Sequence, residues 1–211
     1  MLIQVPKSKP QSQKEYKQVP VGSHLGRLYQ IIDTGTQQNE WDGEIKYERK
    51  LIFKFELHGD DEAGNPLLTD DGKPLSITVY YNKTLHEKAT LRKNLTSWLK
   101  IDFDNLEEDF NMKSLLGKFA MVNVILSKTG KSKVDNLSSV PTIIAKAGFP
   151  EGANELFMFD LDAFDSEKYA KLSNGYKEMI EKSPEYRAIK AGKVPPKAVK
   201  TEEEFNDDIP F

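Results

Sequence analysis

IKYERKLIFKFEL, residues 45–57, is the stretch on which the fold turns. Its odd positions are Ile45, Tyr47, Arg49, Leu51, Phe53, Phe55 and Leu57; its even positions are Lys46, Glu48, Lys50, Ile52, Lys54 and Glu56. Apolar and charged residues alternate with period two, with Arg49 and Ile52 as the exceptions. Successive side chains of a strand point to opposite faces. The stretch therefore predicts a strand with one face on a core and the other in solvent. Arg49 either pairs with a buried acid or is exposed where the strand curves.

Upstream, residues 25–33 (LGRLYQIID) predict a strand, and Gly22, Gly26 and Gly35 allow a sharp bend or bulge. Residues 34–43 (TGTQQNEWDG) predict a polar loop around Trp41. Downstream, residues 58–74, rich in Gly, Pro and acids, read as a hairpin connection. Residues 75–81 form the next strand, with Leu75, Ile77, Val79 and Tyr81 inward and Tyr80 outward. Thr84 and Glu87 fit a capping box. Leu85, Ala89, Leu91, Leu95, Trp98 and Leu99 then recur at helical spacing, which places Trp98 in the core. Strands over 118–126 and 133–146 flank the loop SKTGKS. Residues 155–164 (ELFMFDLDAF) are apolar enough to lie against the sheet, and 166–190 predict amphipathic helices broken near Gly175 and Pro184.

Three strands, a helix and two strands is the order of a five-stranded oligonucleotide-binding barrel, an order that other small mixed domains share. In that fold the helix lies between strands 3 and 4, and ligands cross strands 2–3 between the loops joining strands 1–2 and 4–5. The expected organisation is mostly β. Residues 1–20 form a flexible basic arm, 21–150 the barrel, 151–191 a partly helical extension and 192–211 a disordered acidic tail. The residue types fit such a face. Lys46, Lys50 and Lys54 share the solvent side of strand 2, and Arg49 is a further candidate. Tyr80 projects from strand 3, Trp41 sits in the first loop, and Lys128, Lys131 and Lys133 belong to the second. Cations for phosphates beside aromatic rings for bases are what single-strand binding needs. A lysine-glutamate alternation is equally a solvated strand face.

Composition narrows the class. Of 211 residues, 38% are hydrophobic and 30% charged, enough for one modest core plus segments outside it. Cysteine is absent, so disulfides, thiolate metal sites and a cysteine nucleophile are excluded, and a reducing cytoplasm is expected. No apolar run suits a membrane span, and the first twenty residues carry no secretion-signal core. His24, His58 and His86 have no metal-ligand spacing, and no metal or other cofactor is expected. Charge is asymmetric: five of the 33 acids fall in residues 201–211, leaving 28 acids against 30 bases, or +2, for residues 1–200.

The motifs GTQ (35–37), WDGE (41–44), ERKLIFKFEL (48–57) and TLHEKATLRKNL (84–95) resemble a family of bacteriophage single-stranded DNA-binding proteins, over about residues 22–126. The resemblance implies an oligonucleotide-binding barrel and sequence-independent binding of single-stranded DNA in replication or recombination, within the host cytoplasm. Separately, NDDIPF (206–211) resembles the terminal tail of bacterial single-stranded DNA-binding proteins. Phe211 joins a ring to a free carboxylate, Pro210 restrains the chain beside Ile209, and Asp207 and Asp208 would meet a basic rim on a replication or recombination partner. A homo-oligomer is compatible with this reading.

Walker, GxSxG and HExxH motifs are absent, and no enzymatic activity is expected. The alternatives are a protein–protein adaptor that mimics the host tail, and a metal-dependent nuclease built from acids such as Asp60-Asp61-Glu62 and Asp70-Asp71.

Overall fold

The computed structural model describes residues 17–41, 43–106 and 109–193, with Trp41 described in its backbone alone. The arm before Lys17 and the tail from Val194 onward, including Asp207, Asp208, Ile209, Pro210 and Phe211, lie outside the described residues.

The chain is mostly β, in an antiparallel sheet. The expected order is present: β1 (Gly22–Trp41), β2 (Glu44–His58), β3 (Ser76–Asn82), α1 (Thr90–Leu99), β4 (Phe119–Leu126) and β5 (Ser132–Ser138). The hydrogen-bonded path runs β3-β2-β1-β4-β5, and β3 and β5 end it with no ladder between them among the described residues. Closure by a full ladder, expected from the strand order, is thus not made. Instead α1 packs against both end strands. Buried Asn94 joins them, donating to the Tyr81 hydroxyl of β3 at 2.9 Å and accepting from the Leu137 amide of β5 at 3.3 Å. An amide side chain, with donor and acceptor at one end, suits that position.

The inner core follows the predicted alternation. Leu51, Phe53, Phe55 and Leu57 of β2 meet Ile77, Val79 and Tyr81 of β3, Val122 and Val124 of β4, and Leu91, Leu95 and Trp98 of α1. Trp98 is core as expected, and its indole N–H donates to the Phe119 carbonyl at 2.7 Å.

Three boundaries differ from expectation. Residues 34–41 are not a loop: they continue β1, so that β1 and β2 pair out to Trp41–Glu44. The helix does not start at a Thr84 capping box. The Thr84 hydroxyl instead accepts from the His86 amide in a turn, and α1 begins after Ala89. Thr84 and Asn82 are both near the end of β3, where Thr and Asn side chains satisfy turn amides as readily as helix amides. The strand expected over 133–146 ends at Ser138, and α2 (Thr142–Ala147) follows Pro141, since proline cannot donate to a ladder.

A second layer covers the other face of the sheet. β6 (Phe157–Phe159) pairs in parallel with β1 at Gln30–Ile32. α3 (Ser166–Lys171), α4 (Asn174–Lys182) and α5 (Pro184–Lys190) break near Gly175 and at Pro184, as the sequence indicates. Phe159, Leu161, Leu172, Ile180 and Tyr186 bury Ile32 and Ile52. A β-bulge makes this possible. The β1–β2 register shifts between Leu28 and Gln30, so Leu28 and Ile31 face the inner core while Ile32 faces the second layer. At the second shift, Gly35 takes φ +74°, and a Cβ there would lie 2.5 Å from Ser183 Cβ. Only glycine suits both the backbone and the close approach of the extension.

Candidate nucleic-acid interface

The even face of β2, expected in solvent, is largely covered, and this corrects the simplest reading of its lysines. Ile52 lies under the extension. Glu56 is fully buried, held by Arg27 at 2.8 Å and by Asn154, whose backbone and side-chain N–H groups donate at 2.8 and 2.6 Å. Lys50 is also buried: its ammonium donates to Glu48 at 2.8 Å and to Asn82 at 2.5 Å. A lysine so placed completes a polar network and is not offered to a ligand.

Arg49 takes the first of its two readings. Its guanidinium pairs with Asp33 at 2.6 Å and with Asp162 of the extension at 2.8 Å. Lys83 joins the same cluster, 2.7 Å from Asp33 and 3.1 Å from Asp162. Partial burial acts against the charged form of Asp162, but Arg49 and Lys83 outweigh it and hold its carboxyl below the ordinary aspartate range. The oxygens of Asp33, Asp160 and Asp162 lie within 4.8 Å of one another, as metal ligands can. Here Arg49 and Lys83 already supply the positive charge, and the cluster pins the extension to the sheet. The acids considered for a nuclease behave as turn formers: Asp61 accepts from Ala63 and Asn65, and Asp71 from Thr69.

What remains open is the margin formed by β3 and the edge of β2. Along β3, Ser76 and Tyr80 are exposed and Thr78 half-buried. Tyr80 pairs with Ile52 across the ladder, and Thr78 with Lys54. Tyr80 keeps 45% of its surface accessible. Lys54 is half-buried, its ammonium 5.6 Å from the centre of the Tyr29 ring. The bulge after Leu28 gives Tyr29 this position: its ring is buried, and its hydroxyl reaches Ser76 of β3 at 3.4 Å. Burial alone would lower the Lys54 ammonium, but its neighbours, Tyr29 foremost, then Tyr176 and Tyr80, leave it above the ordinary lysine value. Partial burial, with Tyr176 next, raises the Tyr80 phenol.

Other predicted residues lie apart from this margin. Lys46 is exposed near the β1–β2 hairpin, 3.8 Å from Glu44, and Trp41 occupies the end of β1, its side chain outside the described residues. Lys128 and Lys131 are exposed in the β4–β5 loop and Lys133 is half-buried on β5. The two loops expected to bracket one groove attach to opposite ends of β1: Trp41 pairs with Glu44, whereas Gly22 pairs with Val124 near the β4–β5 loop.

No protein-family model matches this chain, and no curated protein matches it either. The functional reading therefore rests on the geometry and on the motifs quoted from the sequence.

Tyr29 and Tyr176 are the residues that sequence reasoning did not place in the site. The signal for Tyr29 was the Leu28/Ile31 spacing, three residues where an unbroken strand has two. For Tyr176 it was the amphipathic pattern of 166–190, whose apolar stripe needed a surface to cover.

Proposed function

We propose that the chain binds single-stranded DNA without sequence preference, through an oligonucleotide-binding barrel closed by α1 in place of a β3–β5 ladder. The observation that carries this is the margin of β2 and β3, where Tyr80 keeps 45% of its surface accessible and half-buried Lys54 lies on the same side of the sheet. Ring faces accept any base, and ammonium groups pair with phosphates of any sequence. The strand order and the phage-protein resemblance support the same reading, and the resemblance implies a part in replication or recombination. Lys46 and Trp41 on the hairpin, and the lysines of the β4–β5 loop, extend the positive surface beyond the margin. The tail ending in Ile209, Pro210 and Phe211 recruits replication or recombination proteins.

Titrating the full chain with poly-dT and with duplex DNA at two salt concentrations tests this. Affinity for poly-dT should exceed that for duplex and fall steeply with salt. Because Trp98 is buried, fluorescence quenching by the oligomer would report Trp41. No binding to poly-dT at low salt would sink the reading and favour an adaptor. Removing Phe211 alone should spare DNA affinity and abolish partner capture.

A further inference from the structure

Single-strand binding on an oligonucleotide-binding face is read as a property of the sheet. In this chain the second layer changes which residues can take part. With Ile52 and Glu56 buried and Lys50 engaged, a strand of nucleic acid has no path over the middle of β2. It is confined to the β3 margin, beside the cover that residues 157–189 lay over Ile32 and Ile52.

One residue of that cover is Tyr176, in the first turn of α4. Its ring is partly buried against the second core, beside Ile180 and Met179. α4 itself is fixed against β1, where Gln37 donates to the Met179 carbonyl at 2.9 Å. Tyr176 packs against the cluster that holds Ile52, and Ile52 is the ladder partner of Tyr80 and the next outward residue to Lys54, so the three side chains lie on one part of the sheet's outer face. An aromatic ring anchored at one side and half-open at the other suits stacking, because little side-chain freedom is lost when a base lands on it.

We propose that Tyr176 of the C-terminal extension is a base-stacking residue, so that a nucleotide is held between a wall from α4 and the Tyr80 side of β3, with Lys54 serving its phosphate. The inference rests on the single-strand reading above and adds to it that the extension is part of the interface and not only a brace. The ligand class is a single-stranded nucleic acid with unpaired, accessible bases. A duplex, whose bases are already stacked, does not fit.

The full-length protein photocrosslinked to an oligo-dT carrying 5-iodouracil tests this without any substitution. Crosslinked peptides should include both 76–82 and 174–182. In parallel, Tyr176→Ala should weaken poly-dT binding by roughly five- to a hundred-fold, while Tyr176→Phe, which keeps the ring, should stay within about twofold of the parent. Crosslinks to 76–82 without any to 174–182 would overturn the role of Tyr176 and leave the function standing. So would a Tyr176→Ala chain with unchanged affinity. Failure of poly-dT to bind at all would remove both the function and this inference.

Discussion

The two faces of β2 are made from one alternating sequence and meet different fates. The inner face, Leu51, Phe53, Phe55 and Leu57, packs in a core whose buried members all come from residues 19–137. The outer face, Lys50, Ile52, Lys54 and Glu56, meets partners from both β3 and residues 153–186. Alternation in a strand reports that a sheet has two sides. It does not report that a distant segment will return to cover the polar one. The single apolar residue on that side, Ile52, was the only local sign, and its meaning depended on Phe159, Leu161 and Ile180 more than 100 residues away.

The largest expected effects compare the two layers directly. Phe53→Ala should cost about 3–5 kcal/mol and lower the denaturation midpoint of the whole chain. Ile180→Ala removes comparable buried surface and should cost about 2–5 kcal/mol. Its effect should appear first as faster hydrogen exchange in α3–α5, with β3 and α1 still protected. If Ile180→Ala accelerates exchange everywhere equally, the layers are one cooperative unit and the comparison breaks.

Gly35→Ala should follow in size. A non-glycine residue at positive φ costs roughly 1–2 kcal/mol, and the new Cβ would also press on Ser183. The strain falls where the extension docks, so limited proteolysis should cut residues 151–190 sooner than in the parent. An unchanged digestion pattern would mean that the backbone relaxes without releasing the extension.

The fold was legible to the extent that its partners were local. Element order, the inner face and Trp98 all follow from spacing within one segment. The open hydrogen-bonded path was not, because the link between its end strands uses the two bonds of Asn94, the one polar residue among the buried residues of α1. Of the candidate site, the sequence showed which side chains alternate outward and only in part which of them stay exposed. Tyr80 and Lys54 lie on the open margin as the alternation implies. Arg49 and Lys50 do not, because Asp33, Asp162, Glu48 and Asn82 sit within reach only in the folded chain.

A smaller effect concerns pH. Glu56 is penalised by burial, yet its hydrogen bonds from Arg27 and Asn154 outweigh this and hold its carboxyl below the ordinary value of 4.5. A lowered carboxylate stabilises the folded state at pH above 4.5, and that contribution is lost as the pH falls through the folded value. Protease protection of residues 151–190 should therefore weaken below about pH 4.5 before the inner core unfolds. Protection that stays level down to the global acid transition would show that Glu56 does not govern docking.

The finest distinction lies between Lys54 and Lys50, four residues apart on the same face. Lys54 stands at the open margin with its ammonium over Tyr29. Lys50 is enclosed by Glu48 and Asn82. A lysine that meets a phosphate releases counterions on binding, and losing one such contact on a single strand lowers the salt slope by roughly 0.7. Lys54→Ala should show that drop, with affinity reduced across all sequences alike. Lys50→Ala should leave the slope unchanged. Its cost should appear in stability, because Glu48 and Asn82 lose a charged donor inside a network with little access to water. An equal drop in slope for the two variants would mean that the strand does not distinguish the margin of β2 from its middle. The covering layer would then have to open when DNA binds, and slower association than diffusion allows would be its kinetic trace.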